Sequence, residues 1–206
     1  RIIVITDAMP NSGDITSTGL MGMIKKNAED KIYTSLIGVG VDFNTELTEK
    51  ISYVRGANYY SVHSSSEFKK TLADEFDYMV TPLIFDLDLS FKSEDYEIEN
   101  VYGTDSVNKT TGNIMHINTL FPSSSNSEGE VKGGIVVLKL KKKLESSSNN
   151  ISLSISYKDS KEQEHSNKEE VQFKQSTNDY YDNTGIQKAI VLARYVNTLK
   201  NWIIYE

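Results

Sequence analysis

The spacing of hydrophobic positions changes once along this chain, near residue 81. Before that point, Ile2 to Ile5 and Ile32 to Val41 are largely apolar runs, the pattern of strands covered on both faces in a parallel sheet. Between them, Gly19 to Asp30 sets Leu20, Met23, Ile24, Asn27 and Ala28 at helical spacing. From Asn44, Leu47, Ile51 and Val54 repeat at four and three, and Gly56 follows where a helix C-cap favours glycine. Asn44 or Thr45 caps the start of that helix, with Glu46 near the positive end of its dipole. Asn58 to Val62 reads as a third strand. The serines Ser64 to Ser66 and the early acid Glu67 open another helix, which buries Phe68, Leu72, Phe76 and Met79 or Val80. Strand and helix alternating three times predict half of a doubly wound α/β sheet over residues 1–80.

Pro82 ends that rhythm, since proline cannot continue a helix and pushes its predecessor into extended geometry. Phe85, Leu87, Leu89 and Phe91 then alternate with Ile84, Asp86, Asp88 and Ser90, a strand with one solvated face. Further strands are expected at Ile114 to Leu120, Gly134 to Leu140, Ile151 to Tyr157 and Val171 to Lys174. They predict a β-rich, sandwich-like domain over residues 81–178. The polar, glycine- and serine-rich stretches Gly103 to Gly112, Ser123 to Gly129, Glu145 to Asn150 and Asp159 to Glu170 read as loops. In the last segment, residues 179–206, Thr184 to Ile204 sets Ile186, Ala189, Ile190, Ala193 and Ile203 on roughly one face of an amphipathic helix that must pack on the body.

Composition narrows the function classes. A formal charge of -7, with 29 acidic against 22 basic residues, offers no basic surface for a phosphate backbone, so nucleic acid is not an expected partner. No apolar run reaches the length of a spanning helix, and the chain opens in a strand without a signal peptide. The absence of cysteine removes disulfides, thiol nucleophiles and thiolate metal sites together. The three histidines, His63, His116 and His165, stand far apart and offer a zinc ion few ligands. His63 follows a strand, yet no Gly-x-Ser-x-Gly elbow is present to use it as a base. Gly38 and Gly40 lack the continuation and the lysine of a nucleotide site. An enzyme is therefore not expected.

The order of motifs over residues 1–80 resembles that of von Willebrand factor A domains. Arg1-Ile2-Ile3-Val4-Ile5-Thr6-Asp7-Ala8 resembles the fourth core strand of that family, with alanine where a glycine is usual. Ile37-Gly38-Val39-Gly40-Val41-Asp42 resembles the next strand. Leu47 to Gly56, Asn58 to Val62, and Glu67-Phe68-Lys69 with Leu72 match the following helix, short strand and last helix. Past Pro82, Val101-Tyr102-Gly103, Gly129-Glu130-Val131 and Gly133-Gly134 resemble bacterial proteins laid out like the calcium-activated chloride channel regulators and inter-alpha-trypsin inhibitor heavy chains.

The resemblance implies a protein-binding or adhesion module whose partner is held through a metal-ion-dependent adhesion site, with magnesium as the ion. Of the three loops that build such a site, only the aspartate after the fourth strand has a counterpart here, Asp7, with Asn11, Ser12 and Asp14 as candidates for the binding face. The other two loops lie upstream in the family. The resemblance thus implies a fragment of a longer protein that holds no metal or other cofactor by itself, one carboxylate being too few for a hard ion. It also implies that Ile2 to Ile5 is an open strand edge, available to a second copy unless covered. By analogy the complete protein is secreted or in the cell envelope, with the cytoplasm also open. The rival reading is a structural or assembly piece without a metal site, whose closing helix and Trp202 pack on a neighbour.

Ordinary structural roles compete for the remaining polar positions. Asp86 and Asp88 fit the solvated face of a strand, and Lys139, Lys141, Lys142 and Lys143 fit a protected strand end.

Overall fold

The computed structural model describes residues 1–6, 19–40, 50–104, 106–125, 133–144, 148–171 and 184–205. Three strands, β1 (Ile2–Thr6), β2 (Thr34–Val39) and β3 (Asn58–Val62), form a sheet in the order β1-β2-β3. Both pairings are parallel, with Ile5 opposite Ile37 and Ile37 opposite Tyr60. The chain is an α/β protein in this part, as the alternating pattern predicts.

Successive side chains of a strand point to opposite faces, and β2 uses both. Leu36 joins a cluster with Met21 and Ile24 of helix α1 (Gly19–Glu29) and with Ile51, Val54 and Ala57. Ile37 points the other way and packs with Val62 and Met79, against Phe68, Leu72 and Val80. One layer of helix therefore covers each face of the central strand, which is buried at every position except Val39.

The helix expected after Asn44 begins outside the described residues; residues 50–52 are helical. Gly56, expected as a helix C-cap, instead lies in a turn over residues 53–56, beyond the last helical residue at 52, with φ +70°.

The helix expected over Ser64 to Val80 is not continuous. Ser64 caps α2 (Ser65–Lys69) by accepting the Glu67 amide at 3.2 Å, but a π-turn over Lys70–Asp74 separates it from α3 (Phe76–Val80). The wider turn resets the helical phase. Met79 is fully buried, as expected, while Phe76, also expected inside, is 37% exposed.

Beyond Pro82 the strands are β4 (Ile84–Lys92), β5 (Tyr96–Tyr102), β6 (Asn113–Leu120), β7 (Val137–Lys142), β8 (Ser152–Lys158) and β9 (Glu164–Glu170). Their order is β6-β4-β8-β9 in one sheet and β5-β7, antiparallel, in another. Two of these strands were not expected. β5 carries a register irregularity between Ile98 and Asn100 that breaks its alternation.

β9 falls in a stretch read as a loop, because every residue of it is polar and exposed and so leaves no hydrophobic period. The turn before it specifies it instead. Asp159 Oδ1 accepts the Lys161 and Gln163 amides at 2.8 and 3.0 Å, and Glu162 takes a positive φ. A link of residues 159–163 is too short for a parallel crossover, so β8 and β9 close as a hairpin.

The chain divides into two compact units, Arg1–Leu87 with Ile117–Lys132 and Ser156–His165, and Asp88–His116 with Gly133–Ile155 and Ser166–Glu206. In the first, Arg55 lies 4.2 Å over the Phe85 ring, 2.5 Å from Asp86, and bidentate to Glu162 at 2.9 Å. In the second, Phe91, Ile114 and Ile151 gather Tyr96, Ile98, Leu138 and Leu140 around them. Asp95, 6% exposed, is held by Ser148 Oγ at 2.7 Å and the Asn150 amide at 2.7 Å. The closing helix, α4 (Thr184–Tyr205), turns Ile186, Ala189, Ile190 and Ala193 inward as its spacing predicts, while Ile203, expected on the same face, is 70% exposed.

Candidate functional site

In a parallel sheet ligands gather beyond the carboxyl ends of the strands. Here those ends are Thr6, Val39 and Val62. Asp7, the candidate metal ligand, is the residue after Thr6 in the chain; it and Asn11, Ser12 and Asp14 lie outside the described residues. What the described part of this edge shows is a set of bonds around His63. Its Nδ1 sits 2.9 Å from the Gly40 carbonyl oxygen, and its Nε2 sits 2.9 Å from Ser61 Oγ.

The carbonyl can only accept, so Nδ1 carries the proton in the neutral ring and Ser61 donates its hydroxyl to Nε2. The backbone N–H of His63 donates to Glu67 Oε2 at 2.8 Å, which adds a bond from the first turn of α2 back to the end of β3. Gly40, with φ +124°, also donates its amide to the Val62 carbonyl at 3.2 Å. The arrangement ties the ends of β2 and β3 together.

This pair was missed in the sequence because it depends on a strand alternation of two, Ser61 and His63 on one side, and on the carbonyl of Gly40, just past the end of β2. The elbow motif that was sought would have placed a serine on a strand-to-helix turn. Ser61 and His63 are both exposed.

A magnesium-type ion prefers about six oxygen ligands, mostly carboxylate, carbonyl and water. Among the described residues no three His, Cys, Asp or Glu side chains lie close enough to hold a metal ion. The described donors at this edge, the Thr6 and Ser61 hydroxyls and a Gly40 carbonyl bonded to His63, do not fit such an ion by themselves.

The other charged positions singled out in the sequence have partners of their own. Asp86, with φ +48°, meets Arg55 and, at 3.5 Å, Lys158. Asp88 Oδ1 accepts from Asn113 Nδ2 and His116 Nδ1, each at 2.9 Å. Partial burial raises the Asp88 pKa, but the bonds from Asn113 and His116 outweigh it and hold the carboxyl below its ordinary range. Lys139 meets Glu99 at 2.7 Å and Lys141 meets Glu97 at 3.5 Å across β5 and β7, so these members of the basic run form cross-strand ion pairs. No helix among the described residues is long and apolar enough to cross a membrane.

No protein-family model matches the chain, and no curated protein matches it. Two of the solved structures it is similar to are the following. One is a von Willebrand factor type A protein from Catenulispora acidiphila, at 12% identity and a TM-score of 0.43, over 81% of this chain and 41% of that one. The other is the ArnB paralog VWA2 from Sulfolobus acidocaldarius, at 15% identity and a TM-score of 0.36, over 82% and 39%. The chain spans about two fifths of the length of either structure.

Proposed function

We propose that this chain is the second half of a von Willebrand factor A-type binding module, and that the complete protein holds a protein partner without catalysing a reaction. The observation that carries this reading is the open side of β1. Parallel strands are normally covered on both faces and flanked by neighbours. Among the described residues β1 has a single sheet neighbour, β2, and Ile2, Ile3 and Ile5 are 41%, 37% and 52% exposed.

An apolar strand of this kind is built for the interior of a wider sheet. In a doubly wound sheet each half runs in one direction from the point where strand order reverses, and β1-β2-β3 runs in one direction only. A strand supplied on the open side of β1 covers its isoleucines and makes the carboxyl end of β1 the switch point, where such sheets bind ligands. Asp7 follows that end in the sequence. In the complete protein we assign it to a divalent-metal-dependent site, with magnesium as the ion and an acidic side chain of the partner as one ligand; Asn11, Ser12 and Asp14 belong to the binding face.

The four-stranded and two-stranded sheets are, on this reading, the layers of a sandwich-like region that supports the module; the shared cluster of Phe91, Ile98, Ile114 and Leu138 supports that assignment.

The test is calorimetric titration of magnesium and manganese into this chain and into a form extended upstream by about 100 residues, roughly a half-domain or more. The longer form is expected to bind and to lose binding on Asp7→Ala, and the shorter form not to bind. Absence of binding by both forms contradicts the metal-site reading and leaves an assembly piece without a metal site.

A further inference from the structure

Helix α4 carries apolar residues on two sides. The inward side, with Ile190, Ala193 and Asn197, borders a groove of about 560 Å³ shared with Val137 and Leu138 of β7. At 3.6 residues per turn, the opposite side presents Leu192, Tyr195, Val196, Leu199, Trp202 and Ile203. These six are between 36% and 70% exposed. One apolar side suffices to dock a helix on its own body, and Gln187, Arg194, Thr198 and Asn201 supply the polar side that faces water, so this second apolar side implies a cover.

Charge selects the cover. From Thr184 to Tyr205 the helix has Lys188, Arg194 and Lys200 and no acidic residue, in a chain whose acids outnumber its bases 29 to 22. A second copy laid against this face would set like charges together, whereas an anionic surface complements them. Lys188 lies within the exposed apolar arc and Lys200 at its rim, and Tyr195 and Trp202 are the amphipathic aromatics that settle where apolar matter meets water. The helix is not long and apolar enough to cross a bilayer, so contact with one means lying along it.

We propose that α4 docks lengthwise on an anionic lipid surface, inserting the Leu192–Leu199–Trp202 side among the acyl chains while Lys188 and Lys200 meet headgroup phosphates. This inference is independent of the metal-site reading.

Trp202 is the one tryptophan in the chain, so its emission reports on this face directly. The chain is mixed with vesicles of phosphatidylcholine, alone or with phosphatidylglycerol, and followed by Trp202 fluorescence and co-sedimentation. Binding to the phosphatidylglycerol vesicles, with a shift of emission to shorter wavelength that raised salt reverses, is the expected result. K188Q/K200Q weakens it roughly 30-fold, two cations at about 1 kcal/mol each. L192S/L199S abolishes it; these side chains are exposed, and unchanged circular dichroism checks that the fold is kept. No emission shift, or equal binding to phosphatidylcholine alone, overturns the proposal. So does a shift that appears without lipid as protein concentration rises, which would identify a second copy as the cover.

Discussion

Ile37→Ala is expected to destabilise the chain by about 3 to 4 kcal/mol, seen as a lower denaturant midpoint at little changed slope. Ile37 is fully buried at the middle of the central parallel strand, among Val62, Met79 and the half-buried Phe68 and Leu72. Truncation removes three methyl or methylene carbons from water-free surroundings and leaves a cavity between a strand and two short helices. The central strand is bonded on both sides, to β1 and β3, so it cannot move to close that cavity without breaking a ladder. The same substitution at Ile5, 52% exposed in this chain, is expected to cost well under half as much.

Gly56→Ala is the second substitution with a large expected effect, about 2 to 4 kcal/mol of destabilisation. Two causes act together. A left-handed φ of +70° strains any residue with a β-carbon, and a methyl group at this position overlaps the Tyr33 ring near its attachment point, where a side-chain rotation relieves little. Tyr33 is itself fixed against Phe85, with ring centroids 5.6 Å apart. The Gly56 amide also donates to Thr119 Oγ1 at 2.7 Å, so backbone adjustment would stretch that bond. The causes separate in a double-mutant cycle. In a Tyr33→Ala background, Gly56→Ala should cost only the conformational part, about 1 kcal/mol. An equal cost in both backgrounds would show that the ring plays no part.

How much of this was legible in the sequence depends on whether a segment buries an apolar face. β1 and β2 were readable because largely apolar runs of this length leave little but a buried parallel strand, whereas Gly56, read as a helix cap, takes its left-handed φ in a turn four residues past the helix. β9 was not readable. Its pairing comes from Asp159 accepting two amides in the turn and from Glu162 in a left-handed conformation, local geometry that a hydrophobic period does not carry. The interruption of the helix at Lys70–Asp74 was hidden for a related reason: Phe68, Leu72, Phe76 and Met79 fit one helical stripe, and only the exposure of Phe76, 37% beside a buried Met79, departs from it.

At the candidate site, residue types were legible but their meeting was not. Nothing in a sequence brings the Gly40 carbonyl to His63; the parallel register of β2 with β3, Val39 opposite Val62, does so. The charged strand positions show the converse. Asp86 and Asp88, two apart on one strand, look like a carboxylate pair, yet one takes Arg55 and Lys158 and the other Asn113 and His116.

The central claim is that β1 belongs inside a wider sheet, and amide hydrogen exchange along β1 tests it most directly. The Ile2 amide donates to the Tyr33 carbonyl at 2.8 Å, and alternate residues of a parallel strand turn their amides to the same side, so Ile3 and Ile5 direct theirs to the open edge. In this chain those two amides should exchange fast. In the form extended upstream they should become protected to the level of the β2 amides, while the exchange of Ile2 and Val4 changes little. Fast exchange at Ile3 and Ile5 in both forms would contradict the account.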